Sequence, residues 1–243
     1  MGIGGEGQMI VGGFVSAILA LNVPGPTWFK IICSVVGALA AGGLYSALSA
    51  WLLEKFKMSL AISTLMFNYA AQYITMHFTA NVFLDTTGDA KMTQTLMLAE
   101  ELRLPKMVET YSLHWGFVIA VLLVAAIWFV MNRTSFGYES KMSGYNVDFC
   151  DYGGISSRKV MYGMLTLSGV ICALAGVLEV YGVQYRYVHN TYVSASYAWV
   201  GLNAALISDY NPVGILLTSI LLAGIQTGGA AISRATSVPL EIS

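Results

Sequence analysis

An all-α, polytopic bundle of transmembrane helices follows from three properties of this sequence. Hydrophobic residues make up 56% of the 243 positions, charged residues only 10%, and the mean hydropathy is +0.67. Soluble domains run near about 25% charged, so this chain lacks the polar surface to cover a water-soluble globule. Its apolar residues also fall in runs close to the roughly 20 residues a helix needs to cross a hydrocarbon core of about 30 Å. Between the runs stand helix-breaking residues, such as Pro24, Gly25 and Pro26, or Asn211 and Pro212.

Taken in order, the candidate spans are 8–22, 29–53, 58–79, 113–131, 160–181, 196–208 and 212–232. The first and sixth are short enough to be broken or re-entrant. Small residues crowd the second span (Gly37, Ala40, Ala41, Gly42, Gly43) and the fifth (Gly169, Ala173, Ala175, Gly176). In lipid the hydrophobic effect does not drive helices together, so these stripes are expected to be faces of close backbone packing. Trp28, Trp51, Trp115 and Trp128 lie near span ends, as an interfacial aromatic belt requires. Near the outer end of its span, Glu179 is expected to pair with Arg186 at the interface.

Two polar stretches remain, an external loop over 80–112 and a cytoplasmic loop over 132–159, within one transmembrane domain covering 1–243. Lys55, Lys57, Arg133, Lys141, Arg158 and Lys159 are concentrated in two short segments, 54–57 and 132–159. Lys30, Lys91, Arg103, Lys106 and Arg186 are spread over longer loops, so the density of positive charge favours 132–159 on the inside, while the raw count hardly discriminates. Within the external loop, MTQTLMLAEELRLP (92–105) is apolar at every third or fourth position. It predicts a short amphipathic helix ended by Pro105.

Several functions are disfavoured. A net charge of -1 and a pI near 6.3 give no basic footprint for nucleic acid. Cys33, Cys150 and Cys172 have neither zinc nor redox spacing, and His77, His114 and His189 are scattered, so no metal site is expected. No nucleophile–base or H-E-x-x-H constellation points to an intramembrane enzyme.

The cytoplasmic loop holds its own small helix. Over Tyr145–Gly154, Asn146 is a strong N-cap and Asp148 suits the positive end of a helix dipole. Gly153 and Gly154 supply a permissive C-cap. Phe149 and Tyr152 fall on one face, and Ser156 or Ser157 can start the next long helix. So short a helix is unstable alone in water, so the membrane surface or a partner's groove must hold it.

Polar groups inside spans are costly and default to function. Glu6 and Gln8, at a glycine-rich helix start, are candidates for lining a solute pathway, because helix ends at mid-membrane bind solutes in transporters. Asn68 is the next candidate, between Phe67 and Tyr69, whose rings suit a flat base or sugar face; an interhelical hydrogen bond is its structural alternative. Asn203 and Gln226 extend the argument.

At the loop 136–159, FGYESKMSGYNVDFCDYGGISSRK resembles the coupling loop of ABC-transporter permeases of the branched-chain amino acid, ribose and nucleoside importer family. IGGEGQM (3–9), MSLAISTLMFNYAA (58–71), Asn211-Pro-Val-Gly214 and Val238-Pro239 match further family segments in the right order. The STLMFNY stretch is similar to the nucleoside and simple-sugar branch. The resemblance implies a multi-pass permease of the plasma (inner) membrane, with a second permease subunit, ABC ATPase subunits and an external or periplasmic substrate-binding protein. It assigns ATPase coupling to Tyr145, Asn146, Asp148, Phe149, Tyr152, Gly154 and Ile155. No G-x-x-x-x-G-K-(S/T) motif appears, so ATP is expected to be used by the partner and no cofactor by this chain. Two departures stand out. Val147 replaces the family's proline, and Phe149 with Cys150 replaces two alanines, giving a bulkier docking face. Family members also continue with helices at both ends, which implies a partial chain.

Nucleosides are the expected solute, with simple sugars or branched-chain amino acids as alternatives. A channel or secondary transporter needing no ATPase is the competing class, and it predicts ionisable residues deep in the spans for ion coupling.

Overall fold

A computed structural model describes residues 4–85, 92–107 and 114–235. Among the described residues the regular structure is helical: α1 (Gly5–Asn22), α2 (Thr27–Phe56), α3 (Leu60–Asn81), α4 (Gly116–Arg133), α5 (Ser135–Tyr145), α6 (Val147–Tyr152), α7 (Ser157–Glu179), α8 (Thr191–Ser194), α9 (Tyr197–Ile207) and α10 (Pro212–Ala235). Among the described residues four helices are long and apolar enough to cross a membrane: Thr27–Phe56, Gly116–Arg133, Ser157–Gln184 and Pro212–Ser233. The third of these is α7 prolonged by a π turn, Val180–Gln184. The all-α polytopic architecture expected from the sequence is the one observed. Ile3 of the IGGEGQM stretch and the Val238-Pro239 pair lie outside the described residues.

Helices α1 and α3 carry many polar groups and turn them inward. Glu6, Gln8 and Ser16 of α1 are buried, as are Ser63, Thr64, Asn68, Thr75 and Thr79 of α3. Outward from α3 point Ile62, Met66, Tyr69 and Tyr73. Polar inside and apolar outside is the arrangement a hydrocarbon solvent demands.

Helix α1 occupies the centre, packed against α2, α3 and α7. The approach is nearly backbone to backbone. A Cβ added at Gly12 would lie 2.6 Å from Ala173 Cα, and one at Gly169 would lie 2.5 Å from the Gly42 carbonyl oxygen. Of the expected packing stripes, Gly42, Gly43, Gly169, Ala173 and Gly176 are buried, whereas Ala40 and Ala175 face outward. Ser46 Oγ donates to the Leu165 carbonyl at 2.6 Å, which ties α2 to α7.

One end of the bundle is capped by the segment 93–104. It runs beside 181–189, with backbone bonds Leu98 N to Tyr185 O (2.8 Å), Thr95 N to Tyr187 O (2.9 Å) and Leu104 N to Tyr181 O (2.9 Å). The amphipathic helix expected over 92–105 is therefore absent, save for a single 3-10 turn at Glu100–Leu102. Pairing with 181–189 satisfies its amides while Leu98 and Leu102 bury, so the apolar spacing serves an extended strap. Tyr187 pins the strap down, donating from its hydroxyl to Thr75 Oγ1 at 3.0 Å and packing edge-on to Phe14 at 5.4 Å. The expected Glu179–Arg186 pair does not form. Glu179 Oε1 accepts instead from Gln184 Nε2 at 3.3 Å and from the Tyr197 hydroxyl at 3.4 Å.

Replacing Gly169 by Val is expected to destabilise the bundle by about 1–3 kcal/mol, through overpacking against α2. Gly144→Ala, where nothing lies within 4 Å of an added Cβ, is expected to change little. Melting temperatures in detergent check the contrast.

Candidate solute cavities and the coupling helix

Helix α1 begins beside the middle of α7: a Cβ on Gly5 would meet Cys172 Sγ at 3.5 Å. Gly4 offers no side-chain cap, so the first amides of α1 need a partner from elsewhere. Asn68 of α3 supplies one, its Oδ1 accepting from Gly7 N at 2.8 Å. The interhelical bond weighed from the sequence is thus real, and it places Asn68 at the start of α1. Phe67 packs edge-on to Tyr45 at 5.2 Å and Tyr45 donates to the Phe67 carbonyl at 2.6 Å, so Phe67 faces a helix neighbour.

Two cavities flank this helix start. Residues two apart on a helix point about 200° apart, and Glu6 and Gln8 accordingly serve different spaces. Glu6 lines a cavity of about 200 Å³ with Asn68, Tyr69, Gln72, Ser196 and Trp199. Gln8 lines one of about 340 Å³ with Thr64, Leu165, Cys172, Tyr197 and Trp199. Trp199 belongs to both walls. Glu6 is 7% exposed and Gln8 6%, and the Oε1 of each has no hydrogen-bond partner. Such buried, unsatisfied acceptors are costly and call for a donor from solvent or solute.

The structure brings Glu6, Gln8 and Asn68 together but leaves Asn203 apart. Asn203 is exposed and borders neither cavity. The turn of α9 sets Ala204 inward instead, its carbonyl accepting from Thr218 Oγ1 of α10 at 3.1 Å. Gln226 is likewise exposed on α10. Gln72 and Trp199 are cavity residues the sequence reading passed over. Gln72 was detectable, because it continues an inward polar stripe one turn after Asn68.

Opposite the strap lies the small helix. Asn146 Oδ1 accepts from Phe149 N at 3.0 Å, the expected N-cap of α6, and Gly154 takes the left-handed φ of +80° at its exit. Cys150 is buried and anchors α6, while Tyr145, Asp148, Phe149 (68% exposed) and Tyr152 (94% exposed) project outward. Ile155 N donates to the Cys150 carbonyl at 2.9 Å and closes the turn. Two features differ from expectation. The stretch before α6 is itself a helix, α5, capped by Thr134 Oγ1 accepting from Gly137 N at 3.3 Å. The start of α7 is capped by Asp151 of α6, whose Oδ1 accepts from Ser157 N at 3.2 Å. One turn on, Arg158 Nε lies 2.7 Å from Glu54 Oε1 and Tyr162 donates to Glu54 Oε2 at 2.7 Å, which registers α7 against α2.

With this geometry in place, the comparisons with known proteins decide the family. The family described as the branched-chain amino acid transport system / permease component matches residues 1–242. The chain belongs to this permease family. A guanosine ABC transporter permease protein of Bacillus subtilis is 30% identical, over 99% of this chain and 69% of the relative. A glucose ABC transporter permease protein of Haloferax volcanii is 26% identical over 99% of this chain and 65% of the relative. A nucleoside ABC transporter permease protein of Lactococcus lactis is 26% identical over 99% and 67%. The chain thus spans about two thirds of the length of these relatives. No solved structure matches it. The permease is a membrane-embedded transporter subunit and is not itself an enzyme.

Two predictions follow from the permease's geometry. Asn68→Ala leaves the Gly7 amide unpaired in a buried place, so a loss of about 1–3 kcal/mol is expected, read as melting temperature. The second concerns the strap end. Burial holds the His114 and His189 imidazoles below the ordinary histidine value of 6.5. His114 Nδ1 also accepts from Gly116 N at 3.0 Å, a bond that protonation there destroys. Both groups therefore favour the closed strap fully above the ordinary value. That contribution is lost as pH falls below it, because the opened strap takes up protons first. Hydrogen exchange over 93–107, corrected for intrinsic rates, should speed up between about pH 7.5 and about pH 5.5.

Proposed function

We propose that this chain is the membrane-spanning permease of an ATP-driven ABC importer and that its solute is a nucleoside. The observation that carries the reading is α6: a six-residue helix, capped at both ends, that presents Phe149 and Tyr152 to solvent, with Tyr145 exposed at the end of α5 just before it. An aromatic knob of this kind is costly to leave exposed unless a partner groove receives it. Permeases of this family work with ATPase and substrate-binding partners. On this reading 132–159 faces the cytoplasm and the knob seats in the ATPase subunit. The strap end faces outward and meets the substrate-binding protein, and a second permease subunit completes the complex. The 1–243 chain acts as one transmembrane domain. Glu6, Gln8 and Asn68 line the solute route, and Asn203 lies outside it.

Nucleosides are favoured because nucleoside permeases recur among the relatives; simple sugars come next, from the glucose and fructose relatives. Mechanistically, closure of the ATPase pair pushes α6, and the Asp151 and Glu54–Arg158 contacts pass the push to α7 and α2. Phe149→Asp should abolish co-purification with the ATPase subunits and lower nucleoside uptake at least about tenfold, with membrane insertion intact. Uptake by the wild-type chain in vesicles lacking both ATP and ATPase would overturn the reading.

A further inference from the structure

The smaller cavity has a composition that selects a ligand chemistry. Its one acidic group, Glu6, sits among the amide and hydroxyl groups of Asn68, Gln72 and Ser196, beside Tyr69 and Trp199. Glu6 is 93% buried by the exposure given above, and its Oε1 lacks a partner. The neighbouring amide is already engaged, since Asn68 Oδ1 holds Gly7 N at 2.8 Å. A carboxylate offers acceptors on both oxygens and no donor, and it binds best to two donors held side by side.

We propose that Glu6 is a specificity-determining residue that accepts the vicinal hydroxyl pair of a sugar ring, making this cavity the sugar subsite of the solute route. The inference rests on the importer reading above and goes beyond it by assigning a role to one side chain. Size supports the assignment. Whole ligands need pockets of about 300 Å³ or more, and the cavity of about 200 Å³ holds a sugar ring rather than a complete nucleoside. The cavity of about 340 Å³ across α1 is walled by Met9, Leu165, Ile171 and Leu202, with the Gln8 amide, and suits a planar base. Trp199 is common to both walls.

A guanine edge is the other source of two adjacent donors, through N1–H and the 2-amino group. Uracil, cytosine and adenine each set an acceptor beside the donor, and a carboxylate repels it. The cavity's small volume favours the hydroxyl pair over a bicyclic base.

The test is competitive uptake by the complete reconstituted transporter, wild type against Glu6→Gln. Two substrate pairs are used: uridine with 2′-deoxyuridine, and guanosine with inosine. The external receptor is the same in both preparations, so its own preference divides out. The ribo-to-deoxy uptake ratio should fall at least about tenfold in Glu6→Gln, because the hydroxyl contact is lost, while the guanosine-to-inosine ratio stays constant. An unchanged ribo-to-deoxy ratio overturns the proposal, and a collapse of the guanosine-to-inosine ratio alone assigns Glu6 to the base edge instead. Should the variant assemble but carry nothing, thermal protection of the receptor-free permease–ATPase complex decides. Millimolar uridine should raise the melting temperature of wild type and not of Glu6→Gln, and 2′-deoxyuridine should raise neither; equal protection by both ligands overturns the proposal. Failure of the wild-type complex to move any nucleoside overturns the importer reading itself, whereas wild-type uptake with an unmoved ratio overturns only the role of Glu6.

Discussion

Close backbone contact between α1, α2 and α7 is the constraint on which the remaining geometry depends. Lipid gives helices no hydrophobic reason to associate, so dispersion contacts and interhelical hydrogen bonds must do it. Gly12 of α1 and Gly42 of α2 both press on Ala173 of α7, and Gly176 lies against the Met9 carbonyl. Side chains any larger would push the three axes apart. With the axes this near, the first turn of α1 sits against the middle of α7, and its polar residues have nowhere to reach lipid or bulk water.

That burial explains why the cavities take the form they do. A helix start needs acceptors for its free amides, and Gly4 brings none. Asn68 reaches across from α3, and its bond to Gly7 fixes the α1–α3 distance at the level where Glu6 and Gln8 project. Because those two residues point to opposite sides of α1, one helix start serves two chambers. A soluble protein would fill such spaces with leucine or valine. Here the inward faces of α1 and α3 set Ser, Thr, Asn, Gln and Glu beside the apolar core residues Met9, Ile10, Ala17, Ala20 and Ala71, so polar groups share the bundle's interior with its core.

Local signals in the sequence were sufficient for α6, where the hydrogen bonds join near neighbours. The Asn146 cap reaches three residues ahead, and the Gly154 turn needs only its own backbone freedom, so α6 was legible residue by residue. The span order was legible for the same reason: the runs are long and the breakers sharp. The local Thr134 cap of α5 was passed over, and the other failures depended on distant partners. The segment 92–105 has helix-like apolar spacing, yet the amides of Thr95, Leu98 and Leu104 pair with the distant Tyr187, Tyr185 and Tyr181. Asp151 caps α7 only because the Gly153–Gly154 turn folds α6 back on Ser157. Asn203 looked like Asn68 in an apolar run, but which face of α9 turns inward is set by α10, and no local pattern reveals it. Trp199 was unreadable as a cavity wall for the same reason.

The placement of α7 joins the exposed helix α6 to the larger cavity. Its first turn is held by Asp151 of the knob and by Glu54 of α2, and its middle carries Leu165, Ser168, Ile171 and Cys172 on the wall of the larger cavity. On the importer reading, force applied to α6 would cross the Gly153–Gly154 turn through the Asp151–Ser157 bond and then run along the single helix α7 to that cavity. The Glu54–Arg158 pair is too solvent-exposed to contribute much stability. Its geometric effect is larger than its energetic one: with Tyr162 on the second oxygen, the Glu54 carboxylate is gripped from both sides, so α2 must follow α7. Since α1 is wedged between those helices by contacts that leave no slack, displacing the pair re-aims the helix start that bears Glu6 and Gln8. On the importer reading, a tight core and a stiff α6 are therefore parts of one requirement, because play at either end would dissipate the proposed stroke before it altered the cavities.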